Sequence, residues 1–283
     1  MPPDRLVKFN GVGMYNPASW IEEGDGLLVS ARSMRATWLR KCRAYDTTCF
    51  QGIITRQRLN EIKGHPRASM LLLAYAAEMY LKAGVVKVFS NCREEPVGKW
   101  LSRKIGHNYR SAARCVELEL SKRDSDLLRF LTDLVTKMRY PVVPNTIDDK
   151  RGFPFDTDHT AQINERNNRI WNQADFRELC SLVKRISAHV HCIDQDESNP
   201  AHFRRGWVGE DGYWVFRLGG NLSPHVTYRL CSKTPAIDGA TVRKNVEADL
   251  VFSHFTTWEK CKILVDDDDP RGNGFRLESP HKT

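Results

Sequence analysis

From Arg67 to Phe89 the chain carries apolar side chains on nearly every face of a helix. Met70 to Leu73, Tyr75, Met79 to Leu81, Val85, Val86 and Val88 are spaced by five alanines. Such a helix has no face suited to water, so it belongs at the centre of a bundle, covered by neighbours. Pro66 suits its first turn, and the segment Asn91 to Pro96 ends it. Glu78, Lys82 and Lys87 interrupt the longest apolar stretch, Met70 to Val88. That makes the stretch too polar and short to span a bilayer, and no membrane is expected.

Helices to surround it are written along the chain. From Leu27 to Tyr45 the residues Leu27, Ala31, Met34, Trp38, Cys42 and Tyr45 recur at steps of three and four. Arg32, Arg35, Arg40, Lys41 and Arg43 cover the rest of that helix as a solvated basic face. A helix from about Asn108 to Leu120 turns Tyr109, Ala112, Ala113, Val116 and Leu120 inward. The next is capped by Asp124 or Ser125 and carries the stripe Leu127, Leu128, Leu131, Leu134, Val135 and Met138. It stops before Pro141, because the residue preceding proline disfavours helix. Pro141 to Asp158, rich in proline and aspartate, reads as a linker. A last long helix runs from about Gln173 to Ile193 on Leu179, Val183, Ile186, Val190 and Ile193, with Asp175 and Glu178 resembling a capping pair.

After Pro200 the period changes from helical to alternating. Trp207-Val208 and Tyr213 to Leu218 flank Gly209-Glu-Asp-Gly212, the pattern of a hairpin. His225 to Cys231 reads as a strand; Leu250 to Phe255 and Lys262 to Val265 add two more, unless Val246 to Leu264 is a helix. Asp266 to Thr283 is polar and expected to fray. The expected fold is mainly α: an up-and-down helical bundle over residues 1–199, then a small β-containing domain over residues 200–283.

The chain of 283 residues carries a formal net charge of +8. That charge is uneven: the segment through Asn145 holds 24 Lys/Arg and 14 Asp/Glu, the remainder 19 and 21. A basic surface attracts polyanions, and nucleic acid is the commonest of them in cells. Eight cysteines are scattered without a Cys-x-x-Cys pair. They read as buried thiols in a reducing compartment, so cytoplasm is expected. Nor is there an apolar signal core after Met1.

Three short motifs fall on these helices in order. Ala77-Glu78-Met79-Tyr80-Leu81-Lys82 sets a glutamate four residues before a lysine, a spacing that shares one helix face and allows the ion pair Glu78/Lys82. Gly106-His107 precedes the next helix, and Arg139-Tyr140-Pro141 ends the one after. Together they resemble the HEPN family (higher eukaryotes and prokaryotes nucleotide-binding domain), over roughly residues 67–145.

The resemblance implies a helical bundle and an intracellular, RNA-directed protein of a prokaryotic defence or toxin system, with a homodimer as the implied assembly. Many members are metal-independent endoribonucleases acting through an arginine and a histidine four to six residues later. Histidine titrates near neutral pH and can move the proton of a 2′-hydroxyl, while arginine offsets charge on the phosphate. Here the candidate catalytic residues are Arg185, His189 and His191; Arg139, His107 and Arg110 are candidates to hold phosphate or nucleic acid. Ile186 stands where the family usually has a polar residue. On a continuous helix six residues turn about 600°, so Arg185 faces His189 rather than His191. The alternative is a non-catalytic module that binds a nucleotide or partner and dimerises.

No cofactor is expected and no metal. His189, His191, Cys192, His202 and Cys180 lack metal-ligand spacing. Asp266 to Asp269 lacks the glycine of a calcium loop. In the hairpin, Trp214, Phe216 and Leu218 share one face, Tyr213, Val215 and Arg217 the other. They read as core, or as exposed aromatics beside arginines that stack bases.

Overall fold

The structure is a computed structural model. It describes residues 5–8, 11–49, 56–137, 169–208, 212–229, 244, 248, 262–267 and 274–278. Arg139-Tyr140-Pro141, the linker after it and the Leu250 to Phe255 segment lie outside these. Among the described residues the main helices are α1 (Pro17–Cys49), α2 (Arg56–Val88), α3 (Glu94–Lys99), α4 (Tyr109–Cys115), α5 (Lys122–Lys137) and α6 (Gln173–Cys192). A turn of π-helix, Trp100–Ile105, follows α3. Five strands come after α6: β1 (His202–Val208), β2 (Gly212–Gly219), β3 (Leu222–Arg229), β4 (Lys262–Asp267) and β5 (Gly274–Glu278). The protein is mainly α with a small sheet, the expected class.

The sheet runs in sequence order. The strands β1, β2 and β3 form an antiparallel meander, β4 joins β3 in parallel and β5 closes antiparallel on β4. Val208 pairs with Gly212, which is the expected hairpin. The tail expected to fray contributes Asp266 and Asp267 to β4 and all of β5.

Two compact units divide the chain. One comprises Glu22–Met79 and Leu120–Ile186; the other comprises Met1–Ile21, Tyr80–Glu119 and Ser187–Thr283. The first is helical, with a core of Ala31, Trp38, Met70, Leu73, Leu128 and Leu179. The second holds the whole sheet, with Tyr80, Phe89, Trp100, Val116, Phe216 and Val226 in its core.

The helix α2 is the buried helix its composition requires: Met70, Leu73, Ala74, Ala77, Tyr80, Leu81, Val85 and Val86 are all inaccessible or nearly so. It starts earlier than expected, so Pro66 sits inside it rather than at its first turn. By length and composition the segment Gly64–Val88 is sufficient to cross a membrane, contrary to the estimate from Met70 to Val88; 72% of its apolar window is buried within the protein.

Two helix caps differ from expectation, although α6 begins at Gln173 as expected. The cap of α5 is Ser121, whose Oγ accepts from the Asp124 N–H at 3.0 Å while Asp124 Oδ2 accepts from the Ser121 N–H at 3.0 Å. That reciprocal pair is a capping box, with Asp124 in its third helical position. For α6 the cap is Asn172, whose Oδ1 accepts from Ala174 N–H at 2.8 Å. Asp175 and Glu178 instead pair with Arg123.

The sheet-bearing unit is held by buried cations at helix ends. The last carbonyls of a helix lack intrahelical donors, and cations near them are favoured by the dipole. Lys87 Nζ donates to the carbonyls of Val190 and Ile193, both at 2.8 Å, and so caps α6. The carbonyls of Lys87 and Val88, at the end of α2, accept from Arg217 Nη1 at 2.7 Å and His225 Nε2 at 3.1 Å. Arg217 also pairs with Asp194. Lys87, Arg217 and His225 are all buried. Burial lowers the Lys87 and Arg217 pKa values and pushes His225 down to about 4, keeping its imidazole neutral.

Candidate functional site

In the helical unit, one face of α1 and one face of α6 line a cleft of about 390 Å³. Helical periodicity builds it. Arg32, Arg35 and Ala36 on α1 stand at steps of three and four, and so do Arg177, Cys180, Ser181 and Lys184 on α6, beside the apolar stripe of Leu179 and Val183. Four of the lining residues are cations and none is a carboxylate.

Arg35 lies 1% exposed among them, which corrects its expected place on a solvated face. Its guanidinium is held on every side. Nε donates to Gln173 Oε1 at 2.8 Å, Nη1 to the Ile170 carbonyl at 2.7 Å and Nη2 to the Trp171 carbonyl at 3.1 Å. The charge also sits 4.3 Å from the Trp38 ring centroid and 4.9 Å from that of Phe176. Burial lowers its pKa to about 10, so it stays charged at neutral pH. Every hydrogen-bond acceptor it uses is neutral; its positive charge is therefore not cancelled by a carboxylate. Arg32, Arg177 and Lys184 are exposed around it and, among the described residues, make no hydrogen bond or ion pair. Burial raises the Cys180 thiol pKa, so it stays neutral in the cleft. The arrangement is a cradle for anions: three exposed cations around a buried one, in a concave surface that sharpens the field.

The residues anticipated for catalysis are differently engaged. Arg185, in the helical unit, pairs with Asp124 while remaining about half exposed. In the sheet-bearing unit His189 Nε2 donates to the Val116 carbonyl at 2.6 Å, and His191 Nδ1 donates to the Ser187 carbonyl at 2.8 Å. All three lie on α6, but each has its own partner. His107 is half-buried just before α4, and its carbonyl accepts from the Tyr109 N–H at 3.1 Å. Arg110 is half-buried in the first turn of α4, and Arg139 lies outside the described residues. Glu78 is buried on α2, and Lys82 places its ammonium 5.3 Å from the Trp20 ring.

Tyr213, Trp214, Phe216 and Arg217 are buried, so β2 is core on both faces and offers no base-stacking surface. Among the described residues no three His, Cys, Asp or Glu side chains gather as a metal site. Cys42, Cys92, Cys115, Cys180 and Cys192 are free thiols, and Cys192 is exposed rather than buried. Sequence reasoning named Arg32 and Arg35 but missed Arg177 and Lys184. Their seven-residue spacing through Cys180 and Ser181 was the available signal. Compared with known proteins, the chain matches no family model, no curated protein and no solved structure.

Proposed function

We propose that the protein is an RNA-directed binding module that takes the RNA backbone into the cleft between α1 and α6 of its helical unit. The observation that carries this reading is Arg35: a buried guanidinium satisfied only by neutral acceptors, ringed by the uncommitted cations Arg32, Arg177 and Lys184. Phosphate oxygens supply what that cluster lacks, and cations held without local carboxylates give up little to meet them. A bundle of HEPN type, which we propose on the sequence motifs, would accord with this. Gly106-His107 stands just ahead of α4, and Glu78 and Lys82 lie on the central α2. Binding without cleavage is favoured because the charge of Arg185 is already matched by Asp124, and His189 is tied to a backbone carbonyl.

The test is fluorescence anisotropy of a labelled RNA with the wild type and with the variant Arg32→Gln, Arg177→Gln, Lys184→Gln. A control with the same loss of charge, Lys99→Gln, Arg114→Gln, Arg129→Gln, uses exposed cations away from the cleft lining. The cleft variant is expected to lose at least tenfold in affinity and the control much less. Equal losses in both variants would reduce the cleft to bulk charge and refute the reading.

A further inference from the structure

Trp171 is 40% exposed, unusual for an indole that has a partner ring beneath it. It packs edge-on against the buried Trp38, with ring centroids 5.8 Å apart and planes at 66°. Its backbone is fixed as well: the Trp171 carbonyl accepts from Arg35 Nη2, and Arg35 itself lines the cleft. Two residues further on, Gln173 lines the same cleft and binds Arg35 Nε. The Trp171 backbone is therefore tied to a guanidinium that lines the basic cleft, while its indole rests on Trp38.

From this geometry we infer that Trp171 is a specificity residue, stacking one unpaired base of the RNA chain whose phosphates lie along Arg32, Arg177 and Lys184. The inference rests on the binding reading above and deepens it. A base stacked on an aromatic side chain contributes about 1–3 kcal/mol and tolerates any sequence, because every base has a π-face. In a duplex the bases are already stacked on one another and present only edges and backbone. The cations alone would accept either form; the indole discriminates between them. An aromatic ring already held in place, with Trp38 and Arg35 fixing it, loses little freedom when a base arrives.

The experiment compares binding of a single-stranded RNA and a blunt RNA duplex to the wild type, Trp171→Ala and Trp171→Phe. A parallel measurement follows a single strand carrying 2-aminopurine, whose emission falls when the base stacks. The expected result is preference of the wild type for the single strand and at least tenfold weaker single-strand binding by Trp171→Ala. Duplex binding and the salt dependence should stay unchanged, the phenylalanine variant should recover most of the affinity, and 2-aminopurine quenching should be lost only with alanine. Circular dichroism melting of each variant shows that the helical unit is intact. If Trp171→Ala weakens single strand and duplex alike, or neither, while the glutamine variant of the cleft loses binding, the stacking inference fails and the cleft reading stands. If the glutamine variant also binds normally, both fail.

Discussion

The backbone carbonyl of Lys87 accepts a 2.7 Å hydrogen bond from Arg217 Nη1, while the Lys87 ammonium caps α6 through Val190 and Ile193. One residue at the end of α2 thus joins a strand to a second helix end. Removing one member of a buried, hydrogen-bonded charge pair leaves the other uncompensated, at a cost of about 3–5 kcal/mol. Arg217→Met should destabilise the protein by that amount in urea unfolding, because Asp194 loses its ion-pair partner and the Lys87 carbonyl keeps only the Ser90 N–H.

His225 makes stability depend on pH. Its folded pKa, about 4, lies below the ordinary 6.5, so between these values the unfolded chain binds a proton that the folded chain refuses. The contribution is therefore complete above pH 6.5 and is lost as pH falls toward 4, amounting to about 3 kcal/mol. Unfolding free energies from pH 7.5 to 4.5 should fall faster for the wild type than for His225→Gln, and the difference between the two proteins isolates the imidazole from the acidic groups.

Gly84 sets two opposed effects against each other. Alanine in a helix interior is favoured over glycine by about 1 kcal/mol. A Cβ there, however, would stand 2.7 Å from Val116 Cγ1 and 3.0 Å from Val190 Cγ2. Both neighbours are β-branched and stiff at χ1, and overpacking costs about 1–3 kcal/mol. The clash wins: Gly84→Ala should lower the melting temperature, where propensity alone would raise it.

Arg185 and His191 separate binding from catalysis. With Arg185 half exposed in its pair with Asp124, Arg185→Ala should change stability by less than about 1 kcal/mol. Neither Arg185→Ala nor His191→Ala should alter the integrity of RNA incubated with the protein and resolved on denaturing gels, since the wild type is expected to leave it intact. Cleavage by the wild type that disappears in both variants would restore the ribonuclease alternative.

The helices were legible because a period of three to four is a property of sequence alone: Leu127 to Val135 and Leu179 to Ile193 are buried as their spacing requires. Helix starts were less so, since Ser121, Asp124, Asn172 and Asp175 are all good cap residues and only the backbone geometry chooses among them. The charged residues misled most. Arg35 looked like part of a solvated face and Lys87 like an interruption, yet both are buried against carbonyls from distant segments. A sequence pattern records that a residue is polar and is silent about which remote backbone group will satisfy it. The cleft needed both α1 and α6, whose cationic faces lie about 140 residues apart along the chain.

Salt dependence reaches the central claim most directly. Each phosphate contact releases condensed counterions and contributes about 0.7 to the slope of log Kobs against log salt on a single strand. If the RNA backbone lies in the cleft, replacing Arg32, Arg177 and Lys184 by glutamine should make that slope shallower by about 2, along with the loss of affinity. An unchanged slope, with binding as tight as that of the wild type, would contradict the cleft as the RNA site.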